Sequence, residues 1–277
     1  MVLLTSGALA YRGDKHIQLA AIIEFLHTAT LLHDDVVDHS GLRRGKLTAN
    51  EKWGNAPSVL VGDFLYSRAF QLMVEVGDLS IMDVLSSATN TIAEGEVMQL
   101  TNVGNLAISE ASYREVIRCK TALLFEAATH TASILSTLDR ATPDDPRIEA
   151  MRRFGEHFGI TYQLVDDWLD YAGDVATMGK NAGDDLAEGK LTLPLIYALE
   201  HADSASQDII RAAIRSQSAE TLPEIKSIVH ECGALDYTHA AALRESELAL
   251  DCLDQLEGNA YVDALKVLTN FSTSRLF

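Results

Sequence analysis

Cysteine is scarce in this chain, and its three thiols (Cys119, Cys232, Cys252) are an odd number without metal-type spacing. That excludes a disulfide scaffold and fits reduced thiols in a cytoplasmic protein. Aromatic residues make up only 6% of the chain, and it holds only 5 prolines. No segment alternates apolar and polar residues at a period of two, so a sandwich or barrel has no strands to be built from. Basic residues are outnumbered, with 22 Lys and Arg against 40 Asp and Glu, a net charge of −18. A surface of that sign repels nucleic-acid phosphates, and an anionic substrate here needs local cations or metal. No Ser/Gly/Pro-rich linker divides the sequence, so one domain spanning residues 1–277 is expected. The first ten residues end in Ala-Leu-Ala but lack a basic stretch and a long apolar run, which argues against a secretory signal. The longest apolar run, residues 17–32, is too short for a membrane span and carries Glu24 and His27.

What the chain does have is apolar residues three and four apart almost everywhere, and the expected fold class is all-α. The pattern predicts helices over residues 2–10, through the 17–32 run, and from near Pro57 to about Val76. Further helices are expected from a Ser80 cap to Leu100, from Ser109 through Ile134, and over 154–171. A short one surrounds Pro194, and three more cover 206–215, 219–231 and 234–256. Residues 39–56 and the Gly-rich stretch 173–189 read as loops, and Thr142-Pro143 begins a break that runs to Pro146.

The chemistry is concentrated in HDDVVD (residues 33–38), which closes the apolar run and is followed by LRRG (42–45). On a helix Asp34 and Asp38 share a face at i and i+4, with Asp35 beside them. Such carboxylates repel one another unless a cation joins them, and hard oxygen ligands suit Mg²⁺ shared with substrate phosphates. Alone, the cluster reads equally well as a solvated acidic helix end. It recurs, however, as VDDWLD (165–170) on a second apolar helix, with Asp166 and Asp170 at the same spacing around Asp167. Two matched carboxylate faces imply one shared polynuclear metal site.

Arg43 and Arg44 form a diphosphate clamp by geometry, the plain alternative being a basic surface turn. Lys120 and Thr121 lie among apolar neighbours, where a lysine commonly snorkels. Gln163 stands on the Asp166 face and by itself signals nothing. Lys180 falls in a glycine loop that lacks Walker spacing. His27 precedes Asp34 by two turns, roughly 10 Å along the axis, where a core histidine is the usual reading.

Read together, HTATLLHDDVVD (27–38), LRRG (42–45), EGEVMQL (94–100), KTALLFEAA (120–128), YQLVDDWLDY (162–171) and GKNAGDDLAEGKLTLPL (179–195) resemble the trans-isoprenyl diphosphate synthases. They are most like the long-chain, octaprenyl-type members of bacteria. The resemblance implies helices bundled around a deep central cavity, a homodimer, and three Mg²⁺ per active site. It implies metal ligation by Asp34 and Asp38 from one side and Asp166 and Asp170 from the other, with Asp35, Asp167 and Lys120 completing the catalytic set. The allylic diphosphate would be gripped by Arg43, Lys120, Thr121, Gln163 and Lys180, and isopentenyl diphosphate by Arg44 and His27.

Small residues at Ala29 and Thr30 would leave a product tunnel open, for a C40 chain by resemblance, with its floor near Phe70 or Met73. Release of such a product allows transient membrane contact. The family's Gly-Lys-x-x-Arg-Pro-type segment has no counterpart here, since Arg12 and Lys15 do not match it, and weakened activity of the chain as written is the expectation. Tyr162 replaces the usual Phe. The rivals are a regulatory subunit of a heteromeric synthase, a class I terpene cyclase, and a di-iron bundle suggested by Glu24 and His27. Intact twin aspartate clusters weigh against all three.

Overall fold

The three-and-four spacing does produce helices, and a computed structural model describes them over residues 1–43, 45–137, 145–173, 183–218 and 220–275. In order they are α1 (Val2–Ala8), α2 (Lys15–Val37), α3 (Ala49–Trp53), α4 (Asn55–Val76), α5 (Leu79–Asn102) and α6 (Glu110–Ile117). A π-helical turn (Arg118–Ala122) leads without a break into α7 (Leu123–Thr137). After them come α8 (Pro146–Ala172), α9 (Asp184–Ala187), α10 (Leu193–His201), α11 (Ser204–Ser216), α12 (Leu222–Glu231), α13 (Ala234–Leu253) and α14 (Ala260–Ser274). Among the described residues the only sheet is a hairpin in which Leu42–Arg43 pairs antiparallel with Lys46–Leu47.

The all-α expectation holds, and the differences from it are local. The stretch 39–56 carries the hairpin and α3, whose elements are too short to show a period. The cap of α5 is Asp78, not Ser80: the Asp78 side chain accepts the N–H of Ile81. Gly77 makes this junction by taking φ +75° at the end of α4, a left-handed conformation that favours glycine. Ser109 does cap α6, through the N–H of Ser112. The continuous helix expected beyond Ser109 is interrupted by the π turn, and α14 was not anticipated. The break at 142–144 and residues 174–182 of the glycine loop lie outside the described residues.

The most extensive helix pairings are α2 with α4, α7 with α8, and α8 with α13. The α2/α4/α5/α7 layer buries Leu19, Ile22, Leu26, Met73, Ile81 and Leu85. The second half of α8 shares another core with α10–α13, through Leu164, Leu169, Leu193, Ile210 and Val229. The π turn sits between α5 and α8 and touches both. Two glycines permit that approach. A Cβ on Gly95 of α5 would lie 2.8 Å from Cys119 Cβ, and one on Gly159 of α8 would overlap Ala122 Cα. The register of Lys120 and Thr121 therefore depends on two glycines that are distant in sequence. Gly159→Ala is expected to cost about 1–3 kcal/mol through overpacking, read as a lower urea midpoint; an unchanged midpoint would mean that the helices separate freely.

Candidate active site

The apolar length of α2 anchors its end in the core, and this holds three aspartates in place despite their mutual repulsion. Each is met by a different cation. Asp35, only 3% exposed, accepts Arg43 Nε at 2.9 Å and Nη2 at 2.6 Å. The hairpin carries Arg43 back over the helix end to make this pair. Asp38 Oδ1 lies 3.0 Å from Lys190 Nζ, which also binds Glu188 Oε2 at 2.5 Å. Asp34 Oδ2 is 3.9 Å from Lys120 Nζ, but that ammonium is nearer to Glu96 Oε2, at 2.6 Å. Asp34 is the least compensated of the three. Burial pushes its pKa up to about 6; Lys120 opposes the shift, and Glu96 and Asp38 add to it. Burial likewise raises Glu188, against the pull of Lys190. Lys190 is itself disfavoured by burial, yet Asp38 and Glu188 hold its pKa above the ordinary lysine value.

The second motif lies on α8. Asp167 is buried, and accepts the Tyr113 hydroxyl on Oδ2 at 2.5 Å and Gln163 Nε2 on Oδ1 at 2.7 Å. Gln163 Oε1 in turn accepts the Thr121 hydroxyl at 2.8 Å. Burial and then the charge of Asp185 push the Asp167 pKa well up, while the two donated hydrogen bonds act the other way. Asp170 is fully buried and its Oδ1 accepts the N–H of Gly183 at 3.1 Å. Asp166 is half-buried.

A cavity of about 170 Å³ is bordered by Asp167 of the second motif and by the two lysines that pair with Asp34 and Asp38 of the first. Lys120, Thr121, Gln163, Asp167, Asp185 and Lys190 line its polar part, and Val103, Ile108, Val116, Ile117 and Leu191 its apolar part. Lys120 reaches Asp34 and Lys190 reaches Asp38. Both lysines line the cavity that Asp167 lines, so the cations that answer the first motif border the same space as the second motif. The π turn directs the adjacent Lys120 and Thr121 to the same space, a use of π bulges that recurs at functional sites.

The remaining expected residues fall as follows. Asp35 and Asp167 are both buried and engaged by protein groups. Arg43, expected on a diphosphate, is held by Asp35, with its side chain 39% exposed. His27 is half-buried on α2, and its carbonyl accepts the Thr30 hydroxyl at 2.9 Å. Ala29 is fully buried and Thr30 partly exposed. Met73 is in the core, and the half-buried Phe70 ring lies 5.3 Å from that of Tyr66. Arg44 and Lys180 lie outside the described residues.

Sequence reasoning missed Lys190, Glu96 and Tyr113. Glu96 and Lys190 stand in motifs of the sequence and Tyr113 in none, and the aspartates and lysine that give them meaning come from other elements. It also missed Arg275 at the end of α14, whose guanidinium lies 4.0 Å over the ring of Tyr162 and donates to that residue's carbonyl at 3.0 Å.

Four carboxylates (Asp34, Asp38, Glu96, Glu188) share two ammonium groups in this network. Among the described residues no three acidic, His or Cys side chains form a closed metal cage. An uncompensated carboxylate face of this kind fits Mg²⁺, which takes one or two carboxylates, keeps its waters and fills its shell with phosphate oxygens.

Similarity to known proteins extends over nearly the whole chain. A family model described as polyprenyl synthetase matches residues 1–232. The chain is 45% identical over 276 residues to the octaprenyl diphosphate synthase of Escherichia coli, covering 99% of this chain and 84% of that protein. It is 47% identical to an all-trans-nonaprenyl-diphosphate synthase of Rhodobacter capsulatus, covering 100% and 83% respectively. The crystal structure of a polyprenyl synthase from Caulobacter crescentus, complexed with calcium and isoprenyl diphosphate, superposes with a TM-score of 0.94 at 41% identity. That match covers 100% of this chain and 83% of the other.

The electrostatics carry a stability consequence for the metal-free protein. Asp34 rises from 3.8 to about 6 on folding, so between those values the folded state holds the extra proton. The contribution of Asp34 to stability is therefore full below the lower value and is lost as pH rises through about 6. Denaturation in EDTA should show this decline, and Asp34→Asn should flatten it. Asp35→Asn, which leaves Arg43 without its partner, is expected to cost about 1–3 kcal/mol; equal stability would show the pair to be dispensable.

Proposed function

The chain belongs to the polyprenyl synthetase family, and from that premise we propose that it adds isopentenyl diphosphate repeatedly to an allylic diphosphate, building a long all-trans polyprenyl diphosphate. It is a trans-prenyltransferase. The observation that supports the reading is that Lys120 and Lys190, which pair with Asp34 and Asp38 of the first motif, line with Asp167 of the second one cavity that has a polar and an apolar part.

The reaction follows from those groups. The C1–O bond of the allylic diphosphate breaks and its electron pair leaves with the diphosphate. The π electrons of isopentenyl diphosphate then form the new C–C bond to C1, and the resulting tertiary cation loses a proton to a base, for which the departed diphosphate serves. Lys120 and Lys190 offset the charge growing on the leaving group. Asp34 and Asp38 on one side, with Asp166 and Asp170 on the other, are the residues that would hold Mg²⁺; when bound it neutralises the leaving diphosphate as a Lewis acid. Three ions, the number that the family resemblance implies, are proposed. Burial raises Asp34, and the neighbouring Glu96 and Asp38 add to that rise; this surplus of carboxylate over ammonium supports the assignment. Apolar walls keep water from the cation. His27, Arg43, Arg44 and Lys180 are proposed as the remaining diphosphate contacts, Arg43 while still tethered to Asp35.

Product length is proposed as C40, with Ala29 and Thr30 below the first motif leaving room for the tail. A homodimer is proposed on the exposed apolar residues of α4 and α5. Leu60 and Phe64, one helical turn apart, are each 66% exposed, with Val97 and Leu100 exposed on α5; such patches mark association surfaces. No helix among the described residues is long and apolar enough to cross a membrane, and a cytoplasmic location is proposed.

Radiolabelled isopentenyl diphosphate with farnesyl diphosphate and Mg²⁺ should give a product ladder near C40 that EDTA abolishes and Mg²⁺ restores. Asp34→Ala and Asp166→Ala should each lower kcat by at least about 10²-fold with little loss of fold; near-normal rates would defeat the metal assignment. Ala29→Tyr should shorten the product, and an unchanged ladder would defeat the tunnel direction.

A further inference from the structure

The two lysines that line the cavity are held in the same way. Lys120 Nζ lies 2.6 Å from Glu96 Oε2 and 3.9 Å from Asp34 Oδ2. Lys190 Nζ lies 2.5 Å from Glu188 Oε2 and 3.0 Å from Asp38 Oδ1. Each ammonium is thus shared between an aspartate of the first motif and a nearer glutamate that belongs to neither motif. The two glutamates come from separate elements. Glu96 stands on α5 beside Gly95, where a Cβ would lie 3.0 Å from the backbone nitrogen of Lys120, so the close approach of the π turn brings the pair together. Glu188 follows α9, two residues before its lysine. The four side chains are between 12% and 24% exposed, so salt screens these short charge-assisted contacts little. Glu96 Oε1 is buried without a hydrogen-bond partner among the described residues.

A diphosphate that arrives without metal reaches either ammonium only by displacing a carboxylate. The exchange trades one anion for another and leaves a largely buried glutamate without its cation, which costs more than the new contact contributes. Once a divalent cation neutralises the aspartate face, the carboxylates that the lysines leave remain answered, and both lysines can turn to the diphosphate. We propose that Glu96 and Glu188 are specificity residues: they occupy Lys120 and Lys190 in the metal-free protein and so make diphosphate binding conditional on Mg²⁺. The proposal rests on the reading of this cavity as the diphosphate site of prenyl transfer. No covalent step is assigned to either glutamate. Their effect is a coupling between metal and diphosphate, in which each ligand tightens the other by the same factor. The bare diphosphate is rejected by an element that opposes it, not by a weaker fit to the metal-loaded site.

The test is isothermal titration of inorganic diphosphate into the whole chain, once in EDTA and once in excess Mg²⁺, which reads binding without turnover. The wild type should bind far more tightly in Mg²⁺ than in EDTA. Glu96→Gln and Glu188→Gln should each tighten binding in EDTA about tenfold, the worth of one hydrogen bond between charged groups. In Mg²⁺ each should change the affinity less than about threefold, so the gain conferred by metal shrinks. Glu94→Gln removes an equal charge from the exposed side of α5, where Glu94 accepts Asn90 Nδ2 at 2.7 Å. It should leave the affinity in EDTA within about twofold of the wild type, and a tenfold gain there would reduce the effect to net charge and overturn the proposal. Thermal melting checks the fold of each variant; should one glutamine variant not fold, the other, on a separate element, carries the same test. Unchanged or weaker binding in EDTA by either folded variant would also overturn the proposal. Weakening in both conditions would make the glutamates props that hold the lysines ready for diphosphate. A wild type that binds no diphosphate even in Mg²⁺ would overturn the functional reading itself, a result distinct from a metal-dependent wild type with indifferent variants.

Discussion

Carboxylates gathered at the ends of apolar helices repel one another, and the polar architecture of this molecule is an answer to that repulsion. The three aspartates closing α2 are each given a separate cation, from the hairpin, the π turn and the segment after α9. The answer is incomplete by design of the distances. Lys120 sits closer to Glu96 than to Asp34, and burial raises the pKa of Asp34 against the opposing pull of that lysine. Incomplete compensation of this kind is what the proposed Mg²⁺ site draws on.

The second dependence is steric. Lys120 and Thr121 are neighbours in the chain, and on a regular helix adjacent side chains point about 100° apart. The π turn brings both to the same cavity, and it is clamped between α5 and α8 where Gly95 and Gly159 leave room for its backbone. The same clamp sets Thr121 within hydrogen-bond distance of Gln163 and so ties the π turn to the second aspartate motif. Packing and chemistry meet at one residue pair.

Much of this was legible beforehand because helices are local. The i, i+4 spacing of Asp34 and Asp38 survives unchanged, with the N–H of Asp38 bonded to the carbonyl of Asp34 at 2.8 Å. The Ser109 cap also survives. What failed was local too, where two signals competed. Asp78 and Ser80 are both good caps, and the left-handed turn at Gly77 decided for the first. The hairpin at 42–47 has two residues per strand, too few to show a period.

The sequence by itself determined the fold class, the two carboxylate faces and the family, because each is encoded in spacings of a few residues. The tertiary structure decided which charges answer which. Arg43 meets Asp35 and Lys190 meets Asp38, while Tyr113 and Gln163 hold Asp167, through contacts between elements far apart in the chain. Such pairings depend on distances of a few ångströms between separate helices, and no periodicity along a single helix specifies them.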